Sequence, residues 1–302
     1  MLSGYTRPLY ILPFDHRHSY ETKVFGYHEP LTPAQIAEIA RSKDVIYDGF
    51  KAAIEMGVPQ DNAGLLVDEE FGSAILEDAH AHHYITAMPL EKSGQNEFDF
   101  QYPDYQERLR RYEPTFAKTL VRYNPEGDAG MNARQAGRLH QLTEHLKETK
   151  RLFMFELLVP AEKAQLASVG NDSHRYDLEL RPGLMVRAIQ QLQDAGVAPD
   201  VWKIEGLDRR EDCEAIVRAA QREGRYNVGC IVLGRGEDEK KVLEWLTTAA
   251  SVPGFVGFAV GRSSFLQAIM DFEQKKISRE AAVQQIAGKF HEWTETFAKA
   301  RK

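Results

Sequence analysis

One lysine of this chain lies inside an apolar, strand-length stretch, where an unpaired ammonium group is costly. It is Lys203 in "VWKIEGL" (201–207), and Glu205 follows two positions later. A lysine in such a place extends to solvent, pairs with a carboxylate such as Glu205 or Glu156, or gives up its proton and becomes a nucleophile. A neutral amine can add to a ketone and form an iminium, which draws electrons from a neighbouring carbon–carbon bond. The residues alone leave the ion pair and the catalytic amine both open.

Two further charged residues occupy comparable positions on neighbouring apolar stretches. Lys118 lies in "FAKTLVRY" (116–123), and Glu156 lies in "LFMFELLV" (152–159). A second cation near Lys203 would favour the neutral amine, or it could hold a substrate carboxylate or hydroxyl. A buried glutamate suits a general acid/base that carries a hydroxyl proton, and a salt bridge to a lysine is the alternative.

Two Gly-Arg pairs at the ends of later strand-length stretches suggest a phosphate site. Gly234-Arg235 and Gly261-Arg262 each combine a glycine, which lets backbone amides approach an anion, with a bidentate guanidinium. The alternative is that both arginines pair with surface carboxylates. Neither pair belongs to a Walker or dinucleotide fingerprint.

Polar residues follow the first three strand-length stretches as well. Asp15 and Arg17 follow the first, and Lys92 follows the third. His16 and His18 lie beside them and are expected to be scaffold or substrate contacts. The cluster "DAHAHHY" (78–84) contains possible metal ligands, but it precedes a strand and therefore falls on the face of a barrel that lacks the active site. We expect neither a metal nor a cofactor.

The spacing of apolar residues predicts the elements that position these side chains. Eight strand-length stretches are bounded by polar or glycine-rich residues, and helical periodicity lies between several of them. The segment 32–57 starts with Thr32-Pro33, as an N-cap followed by a first-turn proline would. Its last residue, Gly57, lies just past the helical pattern. The strand-length stretches are 9–14, 63–68, 84–90, 116–123, 152–159, 201–207, 228–234 and 255–261, and the other helical segments are 133–150, 182–196 and 238–251.

Eight strands alternating with helices predict an α/β fold, a closed (β/α)8 TIM barrel, with a doubly wound open sheet as the alternative. The tail 278–302 adds a C-terminal helix, and residues 1–302 are expected to form a single domain. The segments 91–114 and 160–181 are long enough to be lids or binding loops.

Charge and cysteine content limit the class of function. The net charge of −7 disfavours nucleic acid as a partner. With two cysteines and no apolar stretch near the start that resembles a signal peptide or membrane span, we expect a cytoplasmic protein without a membrane partner. The sequence leaves a homo-oligomer open.

Through six motifs, the sequence resembles the class I aldolases of the tagatose-1,6-bisphosphate aldolase type. Within that group it is most similar to the 5-dehydro-2-deoxyphosphogluconate aldolase domain of inositol catabolism. The similarity covers nearly the whole chain and rests on "LPFDHRHSY", "EKSG", "AKTLVRYNPEGD", "FELLVP", "VWKIEGL" and "AVGRSSF". A departure lies in "DHRHS", where the bisphosphate aldolases tend to have glutamine after the aspartate and glycine after the arginine, and this disfavours a bisphosphorylated hexose.

The resemblance implies a role for each site residue. Lys203 corresponds to the family's Schiff-base lysine and Glu156 to its acid/base. Lys118 corresponds to its catalytic lysine on the fourth strand, and Asp15 to its catalytic acid on the first strand. Gly261 and Arg262 correspond to the phosphate contact.

The expected reaction is cleavage of 5-dehydro-2-deoxy-6-phosphogluconate, a phosphorylated keto-sugar acid, to dihydroxyacetone phosphate and malonate semialdehyde. The alternatives are an aldolase for tagatose 1,6-bisphosphate or sulfofructose phosphate, a metal-dependent aldolase, a phosphosugar isomerase, and a non-catalytic phosphosugar-binding barrel.

Overall fold

Eight parallel strands close into a barrel in a computed structural model that describes residues 4–301. Each strand pairs with the next along the chain, and the last pairs with the first. The strands are β1 Leu9–Pro13, β2 Ala63–Leu66, β3 Ile85–Pro89, β4 Phe116–Arg122, β5 Leu152–Leu158, β6 Val201–Glu205, β7 Gly229–Leu233 and β8 Phe255–Ala259. All eight predicted strands are present, and the predicted (β/α)8 TIM barrel is confirmed.

Helices surround the barrel and include every predicted helical segment. They are α1 His18–Tyr20, α2 Pro33–Glu55, α3 Glu69–Ala81, α4 Tyr105–Tyr112, α5 Ala129–Glu148, α6 Lys163–Ser168, α7 Ser173–Arg175, α8 Arg181–Asp194, α9 Arg210–Ala220, α10 Glu239–Ala250, α11 Arg262–Glu273 and α12 Arg279–Ala300. Short π-helical segments at Glu21–Phe25 and Tyr176–Leu180 and 3-10 turns at Gln60–Asn62 and Arg222–Gly224 complete the secondary structure.

Helix α2 begins and ends where its sequence signals place the boundaries. The Thr32 side chain accepts a hydrogen bond from the Gln35 backbone N–H, and the Gln35 side chain accepts one from the Thr32 backbone, which is a complete capping box. Gly57 has a φ of 110° just past the last helical turn, a conformation that glycine adopts without strain.

The two long segments predicted as loops are more ordered than expected. Segment 91–114 contains α4, and segment 160–181 contains α6, α7 and the π-helical residues Tyr176–Leu180. Their helices are short, and no long amphipathic period reveals them in the sequence.

The lower part of the barrel interior is filled by apolar side chains from alternate strand positions. Leu9, Phe116, Met154 and Val201 belong to one buried cluster there, and Tyr5 packs edge-to-face on Phe116 with ring centroids 5.2 Å apart. Because side chains in a strand alternate between two faces, the residues two positions later also point into the barrel. Lys118, Glu156 and Lys203 occupy those positions.

The predicted C-terminal helix, α12, packs across the outside of the barrel beside α2. Phe290, Trp293 and Phe297 of α12 are fully buried. The Phe258 ring of β8 lies 6.1 Å from the Phe290 ring and 6.0 Å from the Phe297 ring, so α12 covers the seam between the last and first strands. None of the helices within residues 4–301 combines the length and apolar character needed to cross a bilayer.

Candidate active site

A cavity of about 320 Å³ opens at the carboxyl ends of the strands. This is the end where barrel enzymes assemble their active sites from loops that follow different strands. All ten site residues predicted from the sequence line this cavity: Asp15, Arg17, Lys92, Lys118, Glu156, Lys203, Gly234, Arg235, Gly261 and Arg262.

Lys203 forms an ion pair with Glu156 at the floor of the cavity. The two residues lie directly opposite each other in the β5–β6 register, and the Lys203 Nζ is 2.8 Å from the Glu156 Oε1. Lys203 is 4% exposed and Glu156 is 7% exposed. The partner that the sequence left open is therefore Glu156.

Glu205 serves a different set of partners one layer higher on β6. Its Oε2 accepts a hydrogen bond from the Val159 backbone N–H at 3.0 Å, and its carboxylate lies 3.9 Å from Arg181 and 3.4 Å from Arg235. Burial raises the pKa of Glu205, and the two arginines and the backbone hydrogen bond only partly offset this effect.

Lys118 is surrounded by three carboxylates. Its Nζ lies 3.0 Å from Asp15, 2.5 Å from Glu91 and 2.9 Å from Glu156. The side chain is 1% exposed, and a lysine ammonium has three hydrogens to donate. With three acceptors already in place, Lys118 has no donor left for a substrate carboxylate.

The glutamate in the middle links the two lysines. One oxygen of Glu156 contacts Lys203, and the other contacts Lys118. Burial raises the pKa of the Glu156 carboxyl, but the charges of Lys118 and Lys203 outweigh burial and hold this pKa below its usual range. The same balance of burial against these two lysines lowers the pKa of Asp15. Burial opposes the charge on Lys118, but Asp15, Glu156 and Glu91 together raise its pKa.

Glu91 is a cavity residue that the predicted set lacks. It follows β3, is 5% exposed, and its Oε2 has no hydrogen-bond partner among residues 4–301. Burial raises the pKa of Glu91 despite the nearby Lys118 and Arg17. The Arg17 Nη2 donates to the Glu91 backbone carbonyl at 2.6 Å, which joins the ends of β1 and β3. The sequence signal was its place after a strand, beside Lys92.

Three cations lie on the β1, β3 and β4 side of the cavity mouth. Arg17 is buried, and its Nε has no partner among the described residues 4–301. Lys92 is half exposed and pairs with Asp99 at 2.7 Å. Arg122, which was noted on β4 but left out of the predicted site, lines the cavity and donates to the Gln95 backbone carbonyl at 2.5 Å.

The opposite side of the mouth is formed by the β7 and β8 loops. Gly261 is the N-cap of the twelve-residue helix α11, and a Cβ at this position would come within 2.4 Å of the Pro13 backbone oxygen. The Arg262 Nη2 donates to the Arg235 backbone carbonyl at 2.8 Å, which ties the two loops together. An N-terminal helix end beside an arginine provides the backbone N–H groups and positive charge that bind a phosphate.

Arg235 is the predicted phosphate ligand whose guanidinium is already engaged. Its Nη1 pairs with Asp177 at 2.7 Å, and its Nε lies 3.4 Å from Glu205. The carboxylate pairing considered as the alternative for this residue is thus present in the structure. Gly234 before it lies close to Val260 and Val242, where an added Cβ would be 3.3 to 3.4 Å from a methyl carbon.

A buried ion pair supports the end of β1 from behind. Lys43 of α2 is fully buried, pairs with Asp68, and donates to the His16 backbone carbonyl at 3.0 Å. The other Asp68 oxygen caps α3 by accepting from the Phe71 N–H. Lys43 carries no sequence signal for this contact, because its partners come from other elements.

The histidines of 78–84 do not converge. His80 lies 3.7 Å from Glu113, whereas the His82 ring contacts Asp78 of its own helix. Within residues 4–301 no group of three or more histidine, cysteine, aspartate or glutamate side chains is arranged to hold a metal ion.

The fold matches solved structures at low sequence identity, among them two fructose-bisphosphate aldolases. A fructose-bisphosphate aldolase from Plasmodium falciparum superposes with a TM-score of 0.68 at 15% identity, covering 97% of this chain and 91% of that one. Cgl0159 from Corynebacterium glutamicum gives 0.56 at 18% identity, with 97% and 88% covered. A fructose-bisphosphate aldolase from Slackia heliotrinireducens gives 0.55 at 15% identity, with 93% and 86% covered.

At these sequence identities the comparison shows a shared fold and nothing further. No curated protein matches the chain by sequence. One family model, described as "Uncharacterized protein conserved in bacteria (DUF2090)", matches residues 4–301, and the chain therefore belongs to that family.

Proposed function

We propose that the chain is a class I aldolase that cleaves 5-dehydro-2-deoxy-6-phosphogluconate to dihydroxyacetone phosphate and malonate semialdehyde. The observation that carries this proposal is the Lys203–Glu156–Lys118 arrangement, in which one buried carboxylate contacts both ammonium groups at the cavity floor. The shared fold with fructose-bisphosphate aldolases supports the reaction class.

The first half of the reaction captures the ketone. Transfer of a proton from Lys203 to Glu156 leaves a neutral amine facing the cavity. The amine adds to the C5 carbonyl of the substrate, and loss of water gives a protonated Schiff base. Lys118 remains beside Glu156 throughout and stabilises its negative charge whenever the glutamate is ionised.

The second half breaks the carbon–carbon bond. The C3 hydroxyl gives its proton to Glu156 or Asp15, the C3–C4 bond breaks, and its electron pair moves into the C4–C5 enamine. The C3 carbon becomes the aldehyde of malonate semialdehyde. Protonation of the enamine at C4 and hydrolysis of the Schiff base release dihydroxyacetone phosphate and regenerate the Lys203 amine.

Charges at opposite sides of the mouth suit the two ends of this substrate. The phosphate binds at Gly261 and Arg262, with the Gly234-Arg235 loop beside them. The carboxylate binds at Arg17 and Lys92. Lys118, which the sequence left open as a possible ligand of a substrate carboxylate, has its donors taken by three carboxylates of the protein.

Borohydride trapping tests the proposal directly. Incubation with dihydroxyacetone phosphate and borohydride should add the mass of the reduced ketone phosphate to the peptide containing Lys203. Lys203→Met should lose the adduct, whereas Lys147→Met, a change on the exposed surface of α5 outside the cavity, should keep it. Absence of an adduct in the wild type would favour a phosphosugar isomerase or a binding protein.

Substrate comparison tests the finer part of the proposal. The turnover of 5-dehydro-2-deoxy-6-phosphogluconate should exceed that of tagatose 1,6-bisphosphate and of sulfofructose phosphate. Activity that persists with a chelator separates this mechanism from that of a metal-dependent aldolase. A higher kcat/KM for either rival sugar would overturn the substrate assignment and leave the Schiff-base chemistry standing.

A further inference from the structure

His16 lies at the cavity wall between the lysine cluster and the start of α11. It follows Asp15, which contacts Lys118, and it lines the cavity. Its ring packs edge-on against Phe265 of α11 with centroids 6.1 Å apart. The absence of a side chain at Gly261 leaves room for it, since a Cβ there would be 3.4 Å from the His16 Cε1.

The Nδ1 of His16 is buried and has no hydrogen-bond partner within residues 4–301. Because protein atoms enclose Nδ1 and His16 lines the cavity, Nε2 is the ring nitrogen left to face a molecule bound there. Leaving Nδ1 unsatisfied costs stability, and such buried unsatisfied groups call for an explanation such as a functional role of the residue.

The surroundings keep this imidazole neutral. Burial is the largest effect and lowers the pKa of His16, and the positive charges of Arg262, Lys203 and Lys43 lower it further against the opposing charge of Asp15, to about 4. A neutral imidazole has one N–H donor and one acceptor nitrogen. Such a group suits a hydroxyl, which both donates and accepts, better than it suits a phosphate.

The backbone of His16 is held in place from the opposite side. Lys43 donates to the His16 carbonyl at 3.0 Å and is itself fixed by Asp68 in a fully buried ion pair. These contacts hold the His16 backbone, and with it the ring, in a fixed position at the cavity wall. A group that orients a substrate needs such a fixed position.

We propose that His16 is a substrate-binding residue whose Nε2 hydrogen-bonds the hydroxyl on the carbon next to the ketone captured by Lys203. The inference rests on the proposed aldolase function and adds to it a preference for α-hydroxy ketone phosphates. In the substrate proposed above, this hydroxyl is on C4, and in the dihydroxyacetone phosphate product it is the free hydroxyl.

The test removes the hydroxyl and the histidine separately and together. Borohydride trapping at Lys203 is measured over a range of concentrations of dihydroxyacetone phosphate and of hydroxyacetone phosphate, which lacks the hydroxyl. The wild type should trap dihydroxyacetone phosphate at a concentration on the order of 10-fold lower, as expected for one net hydrogen bond. His16→Leu should lose most of this preference, and His80→Leu, a change outside the cavity, should keep it.

Two further variants identify the nitrogen and guard against misfolding. His16→Gln places an amide near the Nε2 position and should restore the preference, whereas His16→Asn reaches only the Nδ1 position and should not. An unchanged preference in His16→Leu, or loss of the preference in His16→Gln, would overturn the inference while adducts still form. Absence of adducts with both ketones in the wild type would instead overturn the proposed function.

Discussion

Replacing Lys118 by methionine tests the electrostatic design of the site. The substitution keeps the length of the side chain but removes the cation that lies within 3.0 Å of three carboxylates. Breaking a buried ion pair by deleting one partner costs about 3–5 kcal/mol of unfolding free energy, because the remaining charge stays buried without compensation. At 1.36 kcal/mol per pKa unit, that cost corresponds to a combined pKa rise of about 2 to 4 among the carboxyls.

The cost depends on pH in a direction that the structure determines. In the wild type, the pKa values of Asp15 and Glu156 lie below their ordinary values of 3.8 and 4.5, so their stabilisation is present above these values and is lost as the pH falls. Without Lys118, burial raises the pKa of the same groups, and the folded variant takes up protons before the unfolded chain does. The difference in unfolding free energy between the wild type and Lys118→Met should therefore be largest at pH 7 and smaller at pH 4.

Urea unfolding at both pH values measures this difference from the transition midpoint and slope. Lys147→Met provides the matched control, because Lys147 pairs with Glu144 on an exposed helix surface and its loss should leave stability unchanged. The reasoning is refuted if Lys118→Met unfolds within about 1 kcal/mol of the wild type at pH 7, below the range for a broken buried pair. An equal penalty at both pH values would refute the pH argument.

Other positions give further predictions. Glu156→Gln should lower kcat by about 10²–10⁴-fold, the usual contribution of general acid–base catalysis, in a steady-state cleavage assay; a smaller loss would assign the proton transfer to another group. Arg262→Met should raise KM more than it lowers kcat, and an unchanged KM would argue against a phosphate contact. Gly257→Ala should impair folding because its Cβ would lie 1.7 Å from the Leu9 carbonyl oxygen. Gly288→Ala in α12 has no atom within 4 Å and should raise stability by about 0.5–1 kcal/mol in thermal unfolding, the opposite sign.

The sequence predicted the barrel and the floor of its cavity because both depend on local period and strand boundaries. Lys118, Glu156 and Lys203 interrupt apolar stretches, and a polar residue in such a stretch stands out without any knowledge of tertiary contacts. The choice between Glu156 and Glu205 as partner of Lys203 could not be made from the sequence of one strand. It is decided by the register between β5 and β6, which no single strand contains.

The contacts that sequence reasoning missed are those that join distant parts of the chain. Glu91 lies past the end of its strand, and its contact with Lys118 joins residues 27 apart. Lys43 resembles any charged residue of an amphipathic helix, yet the helix turns it inward to meet Asp68. Arg235 has the glycine neighbours of a phosphate loop, but its guanidinium pairs with Asp177 of a segment 58 residues away.

Side chains alternate between the two faces of β4, β5 and β6, so only every second residue of these strands faces the cavity. The inward positions are Phe116, Lys118, Leu120 and Arg122 on β4 and their counterparts two residues apart on β5 and β6. Deleting one residue of β5 ahead of Glu156 would turn Glu156 toward the helices and a neighbouring phenylalanine toward the cavity. Within these strands, the residues that face the cavity can therefore change by replacement, whereas an insertion or deletion would reverse the direction of every side chain that follows it.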